Sequence, residues 1–376
     1  MRKQTTKIFF LLVVFLILPS FVFAAPSISS ISGTVSDGQN VTVFGSGFGI
    51  KSNVKPVYWD NFESYTLDAA PTSGGWIVRS GTPTVSSERA YSGSKAVRFN
   101  NIAFDVFQQM SRDMGTTFPI TVFFQGKIYL DNTVSPCEQY QWKNLMFSSS
   151  PGAYYHNEEI NTTIVMFNSW WRSSTGYWFN TGSPHVYYNG GSSASTLDSP
   201  PTLFKFNQWF DFEFKLTRSS APNVANGSVV ITVDGVQKSS KTNFITHDGD
   251  DGIYRYMMMG GTIASCSNAS RTIPFDPHFK VYYDDIYVDT TQSRIEIADV
   301  PTWSSSTLTH REIQIPSAWS DGQIQFTLNK GSFSAGQAYL YVIDANGNVN
   351  VNGYPITFTS GTDTTPPSAP TGLSVI

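Results

Sequence analysis

Residues 209–216 read Trp-Phe-Asp-Phe-Glu-Phe-Lys-Leu, a stretch in which apolar and charged side chains alternate strictly. On an extended strand, one face then carries only apolar side chains, namely Phe210, Phe212, Phe214 and Leu216. The opposite face carries only charged ones, namely Asp211, Glu213 and Lys215. Such a strand packs one face against a core and exposes the other to water. We therefore predict an antiparallel sheet with a hydrated outer face at this position.

The same period of two recurs along the chain, and helical periodicity is nearly absent after residue 24. In the stretch 120–130, one face would carry Ile120, Val122, Phe124, Ile128 and Leu130. Residues 229–233 form an apolar β-branched run that ends at Asp234-Gly235, a dipeptide typical of tight hairpin turns. The sequence therefore predicts an all-β protein built from stacked antiparallel sheets.

The amino terminus has the pattern of a secretory signal peptide. Arg2, Lys3 and Lys7 precede an apolar run from Ile8 to Leu18, and Val22-Phe23-Ala24 provides a cleavage site. An uncleaved anchor is the alternative, but the run is shorter than the roughly 20 residues that span a bilayer. We expect residues 1–24 to be removed. The mature chain would then be secreted or held at the cell surface, with no membrane span.

Composition and charge argue against nucleic acid as a partner. Charged residues make up 14% of the chain, aromatic residues 15%, and the net charge is −4 with no basic run after the signal. Nucleic acid is therefore not an expected partner, and we expect a monomer. The two cysteines, Cys137 and Cys266, allow one disulfide, but the sequence leaves their pairing open. The five histidines are scattered, without zinc-site spacing.

Two distant segments are similar to the two halves of one immunoglobulin-like domain. Residues 37–49 read Asp-Gly-Gln-Asn-Val-Thr-Val-Phe-Gly-Ser-Gly-Phe-Gly, which resembles the opening of an IPT/TIG domain. Residues 318–328 and 336–347 resemble its closing strands. We expect a discontinuous domain from residues 26–57 and 293–359, with another domain inserted in a loop. The alternative is two unrelated small β units. Residues 360–376 resemble a linker and the first strand of a fibronectin type III domain.

The central region, residues 58–292, resembles concanavalin A-like lectin/glucanase domains, including LamG-like modules and polysaccharide lyases. Three segments carry the resemblance: Trp59-Asp60-Asn61-Phe62-Glu63-Ser64, Asn207-Gln208-Trp209, and Tyr282-Tyr283-Asp284-Asp285-Ile286-Tyr287-Val288. The resemblance implies a jelly-roll β-sandwich beside the smaller immunoglobulin-like β-sandwich. It identifies a fold more than an activity.

The resemblance also places the first and last strands of the central domain side by side. Asp60 or Glu63 could then face Asp285 and share a structural calcium ion bound by oxygen ligands. The alternative is that Asp284 points to solvent and Asp285 accepts backbone hydrogen bonds. The acidic stretch 247–252 lacks the ligand spacing of a calcium loop, so we predict a solvated turn there.

Aromatic residues are concentrated between residues 139 and 188, among Asn, Ser and Gly. Aromatic faces stack on sugar rings while amides and hydroxyls bind sugar hydroxyls. About half of the rings belong in the core, because adjacent residues of a strand point to opposite faces. The candidate carbohydrate-binding residues are Trp142, Trp170, Trp171, Tyr177, Trp178 and Tyr187.

The sequence does not decide whether the protein is an enzyme. The Glu-x-Asp-x-x-Glu run of glucanases with this fold does not occur, and we interpret Asp211 and Glu213 as a hydrated surface pair rather than glycosidase acids. A lyase needs a group that neutralises a uronate carboxylate and a base that removes a proton. Strand 139–143 would place Gln139, Gln141 and Lys143 on one face, and Tyr155 or His156 could act as the base.

We therefore expect a binding or adhesion module rather than an enzyme, with a polysaccharide or glycoconjugate as its partner. A polysaccharide lyase that acts by β-elimination is the alternative. A purely structural or adhesive role is a third hypothesis.

Overall fold

A computed structural model describes residues 24–100, 108–118, 120–131, 139–148, 164–173, 178–179, 185–188, 193–196, 205–246, 254–260, 262–264, 280–303 and 308–358. The predicted signal peptide, both cysteines, the acidic stretch 247–252 and residues 359–376 lie outside these ranges, apart from Ala24. Tyr155, His156 and Tyr177 lie outside them as well. Among the residues described, no helix has the length and apolar character needed to cross a membrane.

The described residues form 24 β-strands and one 3-10 turn at Thr72–Gly74. In chain order the strands are β1 (Ser27–Gly33), β2 (Asn40–Ser46), β3 (Tyr58–Asp60), β4 (Trp76–Ser80), β5 (Thr84–Ser86), β6 (Ala96–Asn100), β7 (Gln109–Phe118), β8 (Thr121–Asp131), β9 (Gln139–Ser148), β10 (Ile164–Ser173), β11 (Trp178–Phe179), β12 (His185–Tyr188), β13 (Ser193–Thr196), β14 (Trp209–Thr217), β15 (Gly227–Val233), β16 (Val236–Phe244), β17 (Tyr254–Gly260), β18 (Thr262–Ala264), β19 (Lys280–Asp289), β20 (Arg294–Ala298), β21 (Arg311–Ser320), β22 (Gln323–Thr327), β23 (Gly336–Ile343) and β24 (Tyr354–Phe358).

Two large antiparallel sheets form a sandwich. One sheet has the order β13-β12-β10-β9-β17-β7-β4, with β11 and β18 attached, and is called the nine-stranded sheet. The other has the order β16-β15-β14-β8-β19-β6-β5, with β3 paired to β19, and is called the eight-stranded sheet. Side chains from both sheets share one apolar core, to which Phe147, Phe212 and Met257 belong. The prediction of an all-β sandwich is confirmed.

Strand β14 has the apolar face that its alternation predicts. Phe210, Phe212, Phe214 and Leu216 are each at most 1% exposed and all belong to the shared core. The predicted hairpin also forms, because Asp234 and Gly235 adopt φ of 48° and 75° between β15 and β16. Both φ values are positive, as a two-residue hairpin turn of this type requires.

Ile120 is an exception to the predicted pattern. It lies one residue before β8 begins and is 66% exposed, so its assignment to the core face was wrong. Val122, Phe124, Ile128 and Leu130 do face the core. The sheet pairing ends at Thr121, which pairs with Thr217, and Ile120 therefore lies beyond the pleated surface that would cover it.

A third sheet, the seven-stranded sheet, has the order β1-β2-β22-β21-β20-β23-β24. Strand β2 pairs with β22, so that Val41 lies opposite Phe326 and Val43 opposite Ile324. Its apolar residues form a separate core, which includes Val43, Ile297 and Leu340. Strands from the two ends of the described chain thus belong to one sheet. The assignment of this unit to the IPT/TIG family stays a prediction.

The outer face of the eight-stranded sheet is covered rather than hydrated. Asp211 and Glu213 of β14 are only 6% and 9% exposed, and both contact Arg311 of β21. The interpretation of these two acids as a hydrated surface pair was therefore wrong. Alternation identifies which face of a strand is polar, but it contains no information on whether another sheet covers that face.

Candidate functional site

A bulge in β9 decides which of its residues face away from the core. Leu145 and Phe147 are buried in the core, and Leu145 pairs with Phe167 of β10. The next pair along the ladder is Lys143 with Asn168, which leaves Asn144 as an extra residue in β9. An extra residue reverses the alternation beyond it. Lys143 therefore occupies a position on the outer face of the nine-stranded sheet.

One row of paired positions crosses three strands of this outer face. Lys143 of β9 pairs with Asn168 of β10, which pairs with His185 of β12. Neighbouring strands lie about 4.8 Å apart, so the first and last positions of the row are about 10 Å apart. In the next outer-face row, Gln141 pairs with Trp170. A cationic residue, two amides, an imidazole and an indole thus occupy adjacent positions on one face.

The candidate binding aromatics divide between the two faces of the sheet. Trp170 and Tyr187 occupy outer-face positions, since Trp170 pairs with Gln141 and Tyr187 pairs with Met166. Positions on the core-side face hold Trp142, Trp171 and Trp178, by their pairing with Ser169, Tyr140 and Ser173 respectively. The pairing register therefore leaves Trp170 and Tyr187 as outer-face candidates for binding a glycan.

Sequence reasoning missed two residues of this outer-face row, Asn168 and His185. No local pattern groups His185 with Lys143, because 41 residues lie between the two positions. Only the pairing of β10 with both β9 and β12 brings the two positions into one row. Of the four predicted lyase residues, Gln141 and Lys143 share a face, whereas Tyr155 and His156 lie outside the described residues.

The carboxylate of Asp60 accepts hydrogen bonds from neutral donors. Its Oδ2 accepts hydrogen bonds from the Tyr58 and Tyr65 hydroxyls and from the Trp76 indole at 2.9 Å. Its Oδ1 accepts the backbone N–H of Phe62 at 2.9 Å. Asp60 thereby joins the end of β3 to three aromatic side chains at the edge of the core.

Glu63 and Asp285 form hydrogen bonds with two different parts of the segment 92–95. Glu63 accepts hydrogen bonds from the backbone N–H groups of Ser94 and Lys95, both at 2.7 Å, and Asp285 accepts the Ser92 hydroxyl at 3.0 Å. Within the described part of the chain, no group of three or more His, Cys, Asp or Glu side chains is placed to hold a metal ion. Asp60, Glu63 and Asp285 therefore do not form the shared ligand set that was predicted, and calcium binding itself stays a prediction.

Asp284 and Asp285 occupy an irregularity of β19. The pairing with β8 passes from Asp284 opposite Lys127 to Tyr287 opposite Gln125, and Asp285 has a φ of 47°. Asp284 is fully buried and accepts the Tyr91 backbone N–H at 2.8 Å. The alternative in which Asp284 points to solvent was therefore wrong, since the loop at residues 91–92 covers it.

A buried ionic cluster connects the eight-stranded and seven-stranded sheets. Arg311 contacts Asp211 at 3.0 Å and Glu213 at 2.9 Å, and Lys127 forms an ion pair with Asp211. Although burial favours the neutral acid, the charges of Arg311 and Lys127 lower the pKa of Asp211 to about 2. The cluster therefore contains compensated charges at the interface between the two sheets.

Two acids beside this cluster have raised pKa values, whereas the pKa of Asp211 is lowered. Burial raises the pKa of Asp285 to about 8, reinforced by the charge of Glu312. Burial likewise raises the pKa of Glu312 to about 7. Burial lowers the pKa of His310, whose Nε2 lies 2.7 Å from Glu312, to about 4. A buried acid with a raised pKa is a feature of many catalytic sites, but here the groups lie at an interface between sheets.

Comparisons with known proteins give structural similarities only. No family model matches the chain, and no curated protein matches it. Endo-β-1,4-glucuronan lyase from the fungus Trichoderma reesei is 15% identical with a TM-score of 0.41, over 63% of this chain and 96% of that chain. A mutant of alginate lyase Aly36B in complex with alginate trisaccharide is 13% identical with a TM-score of 0.46, over 63% and 99%.

A third solved structure, the marine PL-14 alginate lyase from Aplysia kurodai, is 10% identical with a TM-score of 0.44. It covers 62% of this chain and 98% of that chain. At these identities and scores, the similarity concerns the course of the chain and not the reaction.

Proposed function

We propose that this protein is a polysaccharide lyase that cleaves a uronate-containing glycan on the outer face of the nine-stranded sheet. The observation that supports the proposal is the row formed by Lys143, Asn168 and His185, beside the pair of Gln141 and Trp170. These residue types are the ones that β-elimination from a uronate requires, and strand pairing places them on one face.

The reaction requires two kinds of group. A cation and amide donors at the uronate carboxylate stabilise the negative charge that develops when the C5 proton leaves. A base then accepts that proton, the C4–O bond breaks with its electron pair on the departing sugar oxygen, and a C4=C5 double bond forms. A proton delivered to that oxygen completes the cleavage.

The row allows a division of these roles. Lys143, Gln141 and Asn168 would bind the carboxylate, and His185 would act as the base or as the proton donor to the departing oxygen. Positions about 10 Å apart across two strand spacings leave room for one sugar ring between the outer members of the row. Tyr155 and His156 remain the other proposed bases.

Outer-face aromatic positions support an extended substrate. Trp170 lies in the row next to Lys143, and Tyr187 lies two residues after His185 on β12. Stacking on sugar rings at both positions would bind residues on either side of the cleaved bond. The predicted signal peptide agrees with an extracellular polysaccharide as substrate, and export is part of the proposal.

Binding without cleavage is the second candidate function. The same two aromatic positions, Trp170 and Tyr187, would serve a non-catalytic carbohydrate-binding face equally well. This candidate requires the glycan to be retained but unchanged.

The test is a panel of acidic polysaccharides incubated with the mature chain, with the ultraviolet absorbance of the unsaturated uronate as the readout. Lys143→Ala and His185→Ala should each lower the rate by at least about 100-fold, the usual contribution of one acid–base or charge-stabilising group. Lys55→Ala, which removes an exposed lysine outside the strands of the nine-stranded sheet, is the matched control and should retain full activity.

The two candidates give different results in this assay. Retention of a polysaccharide on the protein without any rise in absorbance would reject the lyase and favour the binding module. Activity that survives in both Lys143→Ala and His185→Ala would reject the assigned face.

A further inference from the structure

A polar cleft lies on the opposite side of the sandwich from the proposed active face. It encloses about 330 Å³ between strands β14 and β15 of the eight-stranded sheet and the segments around Trp303 and Asn346. Ligand pockets for small molecules begin at about this size. The cleft therefore has room for one sugar residue.

The residues that line the cleft are of the types that bind sugars. Trp303 contributes an aromatic ring, and amide or hydroxyl groups come from Thr232, Gln237, Gln292 and Asn346. Aromatic rings stack on the C–H faces of pyranoses, while amides and hydroxyls bind their hydroxyl groups. The indole of Trp303 is held in place by Tyr341, at 5.0 Å between ring centroids, and by the Arg311 guanidinium at 4.8 Å.

Charge in the cleft favours a monoanionic ligand. Glu213 and Arg294 both line it and form an ion pair of 3.1 Å, and each has a further ionic partner, Arg311 for Glu213 and Glu296 for Arg294. Lys215 also lines it, is half-buried, and forms no ion pair with any residue that the structure describes. Desolvation lowers the pKa of Lys215, and the charge of Asp344 opposes that effect. Lys215 is thus a cation with no ion pair among the described residues, with Asp344 acting on it at longer range, and a single such cation fits one negative charge better than a phosphate dianion.

We propose that this cleft is a non-catalytic subsite for one carboxylate-bearing sugar, such as a uronate at a chain end. Lys215 would pair with the carboxylate, Trp303 would stack on the ring, and Gln237, Gln292 or Asn346 would bind hydroxyls. The site is independent of the proposed lyase activity, because its residues lie on the eight-stranded and seven-stranded sheets and on loops that follow their strands, and none lies on the nine-stranded sheet. A second subsite on one protein would raise retention on a polymer that offers many copies of the ligand.

The experiment is calorimetric titration of the mature protein with glucuronate, and with glucose as the neutral comparison. We expect glucuronate to bind and glucose to bind at least about ten-fold more weakly, because glucose forms no charge-assisted hydrogen bond. Lys215→Gln should lower the glucuronate affinity about ten-fold, and Lys215→Arg should retain most of it. Trp303→Phe, which keeps an aromatic ring in the packing, should weaken both sugars together.

The titration is repeated in the Lys143→Ala variant, which alters only the proposed active face. Binding that persists in Lys143→Ala and falls in Lys215→Gln supports the subsite whether or not the protein proves to be a lyase. Binding that falls in Lys143→Ala and persists in Lys215→Gln places the sugar on the other face and overturns the inference. Absence of any glucuronate binding to the unaltered protein also overturns it.

Discussion

At the scale of single residues, buried charges are the least expected feature of this protein. Arg311 is 2% exposed and contacts Asp211, Glu213 and Glu296 on two different sheets. Removing one partner of such a group leaves the others buried and uncompensated, which destabilises a protein far more than loss of a surface ion pair. Arg311 therefore stabilises the contact between the eight-stranded and seven-stranded sheets.

We predict that Arg311→Met lowers the free energy of unfolding by about 3–5 kcal/mol, measured by urea denaturation. The matched control is Arg255→Met, which removes an exposed guanidinium paired with Asp113 at 2.8 Å and should change stability little. Equal effects of the two substitutions would contradict the assignment of Arg311 to a buried cluster.

Stability should also depend on pH through Asp285 and Glu312. Their pKa values are raised in the folded state to about 8 and about 7, so the folded chain retains protons that the unfolded chain has released. The free energy of unfolding then falls as pH rises through these values. His310, with its pKa lowered to about 4, acts in the opposite direction below about pH 6.5. Between pH 6.5 and 8 the acids dominate, and stability should decrease.

Chemical denaturation at a series of pH values measures this slope. Asp285→Asn should make the slope shallower, because the amide does not titrate while Glu312 still does, whereas Asp68→Asn, at an exposed position, should leave the slope unchanged. A slope that is flat in the unaltered protein between pH 6.5 and 8 would contradict the account of the buried acids.

Within single strands and turns, the local sequence predicted which face packs in the core and where the chain turns. The alternation of 209–216 identified the core face of β14, and Asp234-Gly235 identified a hairpin. The grouping of Gln139, Gln141 and Lys143 on one face agrees with the pairing register. Which face that is depends on the extra residue at Asn144, and a one-residue bulge has no clear sequence pattern. Long-range pairing, as of β9, β10 and β12, could not be predicted from local periodicity.

The hairpin turn between β15 and β16 requires glycine at position 235. Gly235 has a φ of 75°, and a Cβ there would lie 3.3 Å from Leu308 Cδ2, so Gly235→Ala should destabilise the protein by about 1–2 kcal/mol. Gly322→Ala is the control, since no positive φ is recorded there and the added Cβ would make an ordinary contact of 3.4 Å. Thermal denaturation of both variants measures the difference. An equal loss for the two would show that backbone conformation is not the cause.

At the scale of the whole molecule, the polar outer face of β14 shows the limit of sequence reasoning. Its carboxylates were predicted to face water because charged residues usually do. Instead, β20 and β21 supply Arg294 and Arg311, which pair with Glu213. Partners that lie 81 and 98 residues away along the chain cannot be recognised from the local pattern.

The ionic cluster makes the two parts of the molecule depend on each other. We predict one calorimetric unfolding transition for the mature chain, with equal calorimetric and van't Hoff enthalpies. The reason is that separating the sheets would break the contacts that Arg311 of β21 forms with Asp211 and Glu213 of β14. Two resolved transitions would contradict the coupling.

Under the proposed lyase activity, the outer face of the nine-stranded sheet cleaves a uronate-containing polysaccharide by β-elimination. Mass spectrometry of the products distinguishes this reaction from hydrolysis, because elimination leaves each new non-reducing end one water lighter. We expect unsaturated uronate ends from the unaltered protein and almost none from Lys143→Ala. Saturated ends, or an uncleaved polymer across a panel of acidic glycans, would contradict it.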